Sequence, residues 1–138
     1  MTPEEFFETL KSHVDAVVDD WVVVTLGEAP DEKVQQYVII WPSPGTSLDE
    51  RAVTGRMGNE VTDLTFQVTT AAPTSMGLLY TMQQVNAALT ETLIGGHLIR
   101  PDVVANRAAT PLQDETVRPS RHYMATTWQT QLTRSHTV

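Results

Sequence analysis

The sequence has no cysteine, only two lysines (Lys11 and Lys33), and few aromatic residues, 7% in all. Without thiols, a disulfide scaffold, a thiolate metal site, a CxxC redox pair and a cysteine nucleophile are excluded. No apolar run approaches the roughly 18 residues a membrane helix needs, and the opening Met1-Thr2-Pro3-Glu4-Glu5 is acidic. Neither a transmembrane span nor a signal peptide is expected. Basic residues are also scarce: Lys and Arg number 9 against 17 Asp and Glu, a net charge of −8. Phosphate-neutralising nucleic-acid binding needs clustered cations, so that class is excluded too.

What is present suits one folded domain. A chain of 138 residues with 41% hydrophobic content is long enough to bury a core without staples. We expect a soluble, acidic protein forming a single domain over 1–138. The acidity is concentrated: residues 1–69 hold 13 acids and 4 bases, whereas residues 70–138 hold 4 acids and 5 bases. After Lys33 every cation is arginine, the residue suited to holding a charge in fixed geometry at a contact.

The N-terminus predicts a helix. Thr2-Pro3-Glu4-Glu5 supplies an N-cap, a proline at the first helical position and a capping-box glutamate. Phe7, Leu10, Val14, Val17 and Trp21 follow at helical spacing, widened by Phe6 and Val18. Asp19 and Asp20 oppose the negative end of the helix dipole, so the helix should stop there. Residues 21–26 and 34–41 read as strands joined by turn chemistry, a hairpin with a longish loop. The second is apolar on both faces at Tyr37-Val38-Ile39-Ile40-Trp41, as a central strand would be. Residues 43–59 read as an exposed arm.

Residues 61–70 alternate, with Thr62, Leu64, Phe66 and Val68 on one face. Pro73-Thr74-Ser75 then caps a helix with Leu79, Met82, Val85, Leu89 and Leu93 as its expected stripe, ended by Gly95-Gly96. Residues 95–119, broken by Pro101, Pro111 and Pro119, read as an irregular segment. Residues 122–133 form the last strand, rich enough in Thr and Gln to suit a wet face or a sheet edge. The expected class is α+β: a small, mostly antiparallel four-stranded sheet with two helices packed against it, in the order α-β-β-β-α-loop-β.

Chemical motifs are missing. His13, His97, His122 and His136 make no HxH, HxxH or HExxH spacing, and neither a P-loop nor a GxSxG elbow occurs. Adjacent acids such as Asp49-Glu50 and Asp114-Glu115 fall in turn-like stretches and read as solvating. No catalytic residue, cofactor site or metal site is expected. Assembly is better supported, because a terminal strand of this composition can pair with a neighbour's sheet edge. Both the arm and the irregular segment could reach a partner.

The run Phe66-Gln67-Val68-Thr69-Thr70-Ala71-Ala72-Pro73-Thr74, an amphipathic helix, a Gly-Gly stop, Val117-Arg118-Pro119 and a final strand through Tyr123 and Trp128 occur in that order. This succession, over about residues 61–134, resembles the tail terminator (tail completion) proteins of long-tailed phages, particularly those of actinobacteria. Ala71-Ala72 stands where relatives more often carry a Gly-containing turn. The resemblance implies a structural virion protein of the tail and neck, assembled in the host cytoplasm. It would form a hexameric ring that caps the tail tube, ends polymerisation and joins the tail to the head-side connector. Its partners would be copies of itself, the tail tube protein and a connector or stopper protein, with DNA as passing cargo and no membrane. On that reading Arg118, Arg121, Tyr123, Thr127 and Gln129 are candidates for a subunit or tube interface. Asp49, Glu50, Arg51, Arg56 and Glu60 would form a lumen- or partner-facing arm whose acids repel DNA from the channel wall. The alternatives are another neck protein, a tube subunit, or a small cytosolic enzyme.

Overall fold

The computed structural model describes residues 1–47 and 60–134. Helix α1 (Pro3–Val17) begins where the capping sequence places it, with the Thr2 hydroxyl accepting from the Glu5 amide at 3.2 Å. It ends at Val17, just before the aspartates. Phe6, Phe7, Leu10 and Val14 are buried, and Val18 continues the stripe past the helix end. Val17 and Trp21 depart from expectation: Val17 closes the helix on its outer side, the chain leaves helical geometry before Trp21, and both are exposed.

Strands β1 (Val23–Leu26) and β2 (Tyr37–Trp41) follow. They are parallel, in the register Val23↔Tyr37 to Leu26↔Ile40, and not the hairpin expected. The stretch 27–36 returns along β1 instead of reversing beside its end, so β2 starts level with β1 and runs the same way. Gly27, at φ +75°, begins the return and donates its amide to the Ile40 carbonyl. β2 is central as expected, lying between β1 and β4 with Val38, Ile39 and Ile40 buried.

The short β3 (Thr46–Ser47) pairs with β4 (Glu60–Ala72), which runs antiparallel to β2. The last strand, β9 (Arg121–Arg134), pairs with β4 from Ala72↔His122 to Glu60↔Arg134. These two long strands are the spine of the sheet. Leu64, Phe66 and Val68 on β4 and Trp128 and Leu132 on β9 face the helices and are buried. Phe66 meets Phe6 and Phe7 edge-on, at 6.0 and 5.5 Å between ring centres.

Helix α2 (Ser75–Leu89) is capped by Thr74, as its sequence indicates. Its buried face is Leu78, Thr81, Val85, Ala88 and Leu89. Val85 and Leu89 are buried as expected, whereas Leu78 and Thr81 take the places expected of Leu79 and Met82, and Leu93 lies beyond the helix and exposed. Leu79 is 55% exposed, and Met76 and Tyr80 lie exposed beside it. The helix is apolar nearly all round, so periodicity alone cannot say which side meets the sheet. Thr81 can be buried because its hydroxyl accepts from the Gln36 side chain.

The helix also stops earlier than expected, at Leu89. Gly95 and Gly96, at φ +57° and +83°, instead turn a small hairpin between β5 (Leu93–Ile94) and β6 (His97–Leu98). Two consecutive positive φ angles are what a tight type I′ turn requires. The supposedly irregular segment carries β7 (Arg100–Pro101), α3 (Val103–Arg107) and β8 (Leu112–Asp114) as well. The fold is thus mixed α and β, with a mostly antiparallel sheet. Among the described residues the sheet has seven strands against the four expected, in the order β1-β2-β4-β9-β7, with β3 on β4 and β8 on β9.

Candidate assembly surface

Helices α1 and α2 cover one face of the sheet, so the other face and the two edges are where a partner could meet it. Alternation assigns Tyr37, Ile39 and Trp41 on β2, and the odd-numbered residues of β4 and β9, to the face away from the helices. At one end of that face lies Arg121. It was expected at a subunit contact, yet it is only 5% exposed. Its guanidinium donates to the Glu32 and Val34 carbonyls at 3.1 and 3.4 Å, and to the Pro119 carbonyl. Arg121 therefore ties the β1–β2 connection to the head of β9 and is not free for a neighbour. Ile39 and Ala71, on the same face, are buried, while Trp41, Thr65, Gln67, Ala125, Gln129 and Gln131 farther along are exposed.

The other expected contact residues fall as follows. Arg118 is exposed in the stretch before β9, Gln129 is exposed on the uncovered face, and Tyr123 and Thr127 are half-buried. Glu60 opens β4 opposite Arg134. Asp49, Glu50, Arg51 and Arg56 lie outside the described residues.

The last strand is not a free edge, contrary to expectation. β4 lines one side of it, and the other side is occupied piecewise. β8 pairs with Arg121–Tyr123 and β7 with Trp128 and Gln129. Between them, Asn106 on α3 imitates a strand: its side chain donates to the Thr127 carbonyl at 3.1 Å and accepts from the Thr127 amide at 2.7 Å. Asp102 donates its amide to the same carbonyl. Beyond, His97 Nδ1 donates to the Gln131 carbonyl at 3.1 Å. Occupied backbone groups cannot template another chain. Asn106→Ala should cost about 1–2 kcal/mol in a urea titration, the value of two hydrogen bonds partly shielded from water. Aggregation on standing should rise as well.

Gln129 and Gln131 lie on a wet face, as the composition of β9 suggests, but two of its threonines do not. Thr126 and Thr130 are buried on the helix side. The Thr130 hydroxyl donates to the Leu98 carbonyl at 2.7 Å, and the Trp128 indole donates to the Thr126 hydroxyl at 2.9 Å. Each polar group finds its partner inside the chain, which removes the cost of burying it.

On the uncovered face a recess of about 580 Å³ is lined by Asp63, Thr65, His97, Arg100, Gln129 and Gln131 among others. Gln131 donates its side-chain amide to Asp63 at 2.9 Å, and the His97 bond to a carbonyl assigns the proton to Nδ1. Small-molecule pockets are mostly apolar with a few polar groups. This recess is lined mostly by polar side chains, with Leu64 and Leu98 also in its lining, and suits a hydrogen-bonding surface better. Among the described residues no group of three or more His, Cys, Asp and Glu is placed to hold a metal ion. None of the helices there is long and apolar enough to cross a membrane.

At the β1 edge the outward-facing apolar residues are Val17, Trp21 and Val23. Val23 and Gly27 direct their amides at β2, so by alternation those of Val24 and Leu26 point out of the sheet. Asp19, beside Trp21, has one carboxylate oxygen buried without a hydrogen-bond partner among the described residues. Its negative charge raises the pKa of the neighbouring Tyr80 hydroxyl. At the far edge, Asp114 accepts from the hydroxyl and amide of Thr116, which hold its carboxyl below the usual carboxylate range. No family model and no curated protein matches the chain.

Proposed function

We propose that this chain is a structural virion protein of the tail-terminator type, forming a hexameric ring that caps the tail tube and joins it to the head-side connector. The observation that carries the reading is a sheet covered by helices on one face only, whose other face presents exposed polar side chains from its two longest strands. Such a surface, hydrogen-bonding and uncharged over much of its area, suits repeated contact between copies or with a tube. The succession of elements on which the resemblance rests also supports it: β4, a capped helix, and a long final strand returning to pair with β4. Met76, Leu79 and Tyr80, exposed along α2, supply an apolar strip for the tube or the connector. On this reading the acids concentrated in the first half contribute a surface that repels passing DNA.

The test is electron microscopy of assembled particles carrying a labelled copy, with tail lengths measured when the gene is disrupted. Six copies at the head-proximal end of the tube and overlong tubes in the disrupted phage are expected. Finished tails beside unjoined heads would assign the chain to another neck component. Long tubes from the purified chain alone would make it a tube subunit.

A further inference from the structure

The two edges of the sheet differ in chemistry in complementary ways. At one edge Trp21, 64% exposed, occupies the turn between α1 and β1, with Asp19 and Asp20 immediately before it and Val23 exposed just after. At the opposite edge Val104, 78% exposed, stands on α3 next to exposed Val103, between the exposed Arg100 and Arg107. The one acid within that stretch, Asp102, has a carboxylate oxygen engaged in capping α3 through the Ala105 amide at 3.1 Å. Each edge thus has an apolar centre, one beside the exposed Asp20 carboxylate and the other between two guanidinium groups.

We infer that these edges dock against each other in successive copies of the chain, the Trp21 edge of one against the α3 edge of the next. The partner is a second copy because one chain carries both halves of the match, beside β1 and β7 at opposite ends of the sheet order. Either edge meeting its own kind would bring like charges together, which disfavours a two-fold dimer. A contact between two different surfaces repeats from copy to copy, and closes into a ring when the rotation allows. The inference rests on the ring reading above and assigns the surfaces that would build it. Apolar centres exclude water from the contact, while the charges steer encounter and set direction.

The absence of cysteine makes the test clean. Ala16→Cys and Ala105→Cys, both at exposed positions beside the two patches, leave the patches themselves intact. With a flexible bis-maleimide, a mixture of the two single variants should cross-link much faster than either alone at equal concentration. The double variant should give a ladder of oligomers. Adding Asp20→Arg should slow the mixed reaction about five- to tenfold, and combining it with Arg107→Asp should restore it. Trp21→Ser should slow it similarly while leaving the thermal melt unchanged, since the side chain lies outside the core. Self-linking of one single variant as fast as the mixture would overturn the inference in favour of a two-fold contact. Rings seen by native mass spectrometry without faster mixed linking would overturn these edges and leave the ring reading standing. A chain that stays monomeric with no preference for mixed linking would overturn the inference as well, and copy number in the particle would then judge the ring reading separately.

Discussion

Phe66→Ala should cost about 3–5 kcal/mol of unfolding free energy, a large part of the 5–15 kcal/mol that holds a typical domain together. The ring lies at the centre of β4, fully enclosed, and is the point where sheet and α1 meet. Its edge-on contacts with Phe6 and Phe7 add to the simple burial term. Removing it leaves a cavity that α1 cannot fill without leaving Leu10 and Val14 unsupported. Urea unfolding followed by far-UV circular dichroism measures the loss. Phe66→Leu, keeping most of the volume, should cost much less. A change under about 1 kcal/mol for the alanine variant would show that this cluster does not anchor the fold.

Arg121→Ala should destabilise the chain by about 2–3 kcal/mol, because the Glu32 and Val34 carbonyls lose a charged donor in a partly buried place. The effect has a location as well as a size. Among the described residues Arg121 supplies the hydrogen bonds that hold the β1–β2 connection to β9, and that connection contains exposed Lys33. Trypsin should therefore cut after Lys33 markedly faster in the variant than in the parent under native conditions, with cleavage rising more than global unfolding accounts for. Arg121→Lys should recover only part of the stability, since an ammonium cannot span several carbonyls in one plane. Equal proteolysis rates in parent and variant would refute the tie. The same geometry separates the two arginines expected at a contact. Reversing the charge at Arg121 should harm folding first, whereas exposed Arg118 tests a contact without that complication.

Local chemistry explains which elements were legible. The start of α1 follows from Thr2 and Pro3, because capping is decided by neighbours in the chain. β4 and β9 alternate over many residues with one face buried, so their inward sets were readable from Leu64 to Val68 and from Thr126 to Leu132. α2 was legible as a helix but not in its rotation, since apolar residues on several sides leave the choice to the surface it packs on. The parallel pairing of β1 and β2 was illegible for a related reason. Nothing local to residues 27–36 states that the connection will be held at the far end of the sheet by a side chain from β9. The short β7, α3 and β8 exist mainly by contact with β9, and too few residues form each for periodicity to register.

The candidate surface divides along the same line. That Arg121 and Arg118 are cations near the last strand is a matter of sequence, but burial separates their roles. Thr127 belongs to a strand whose composition suits an open edge, yet Asn106 closes that edge from a distance of 21 positions.

By itself the sequence determined the absences, the uneven charge, the helix caps and the inward faces of the two long strands. These depend on composition or on residues within a few positions of one another. Only the tertiary structure decided which arginine is a tie and which is free, which edge is closed, and that Trp21 and the arginine-flanked α3 lie at opposite ends of the sheet. Those properties depend on burial and on long-range pairing. A contact between residues far apart in the chain leaves no spacing to read until the fold brings them together.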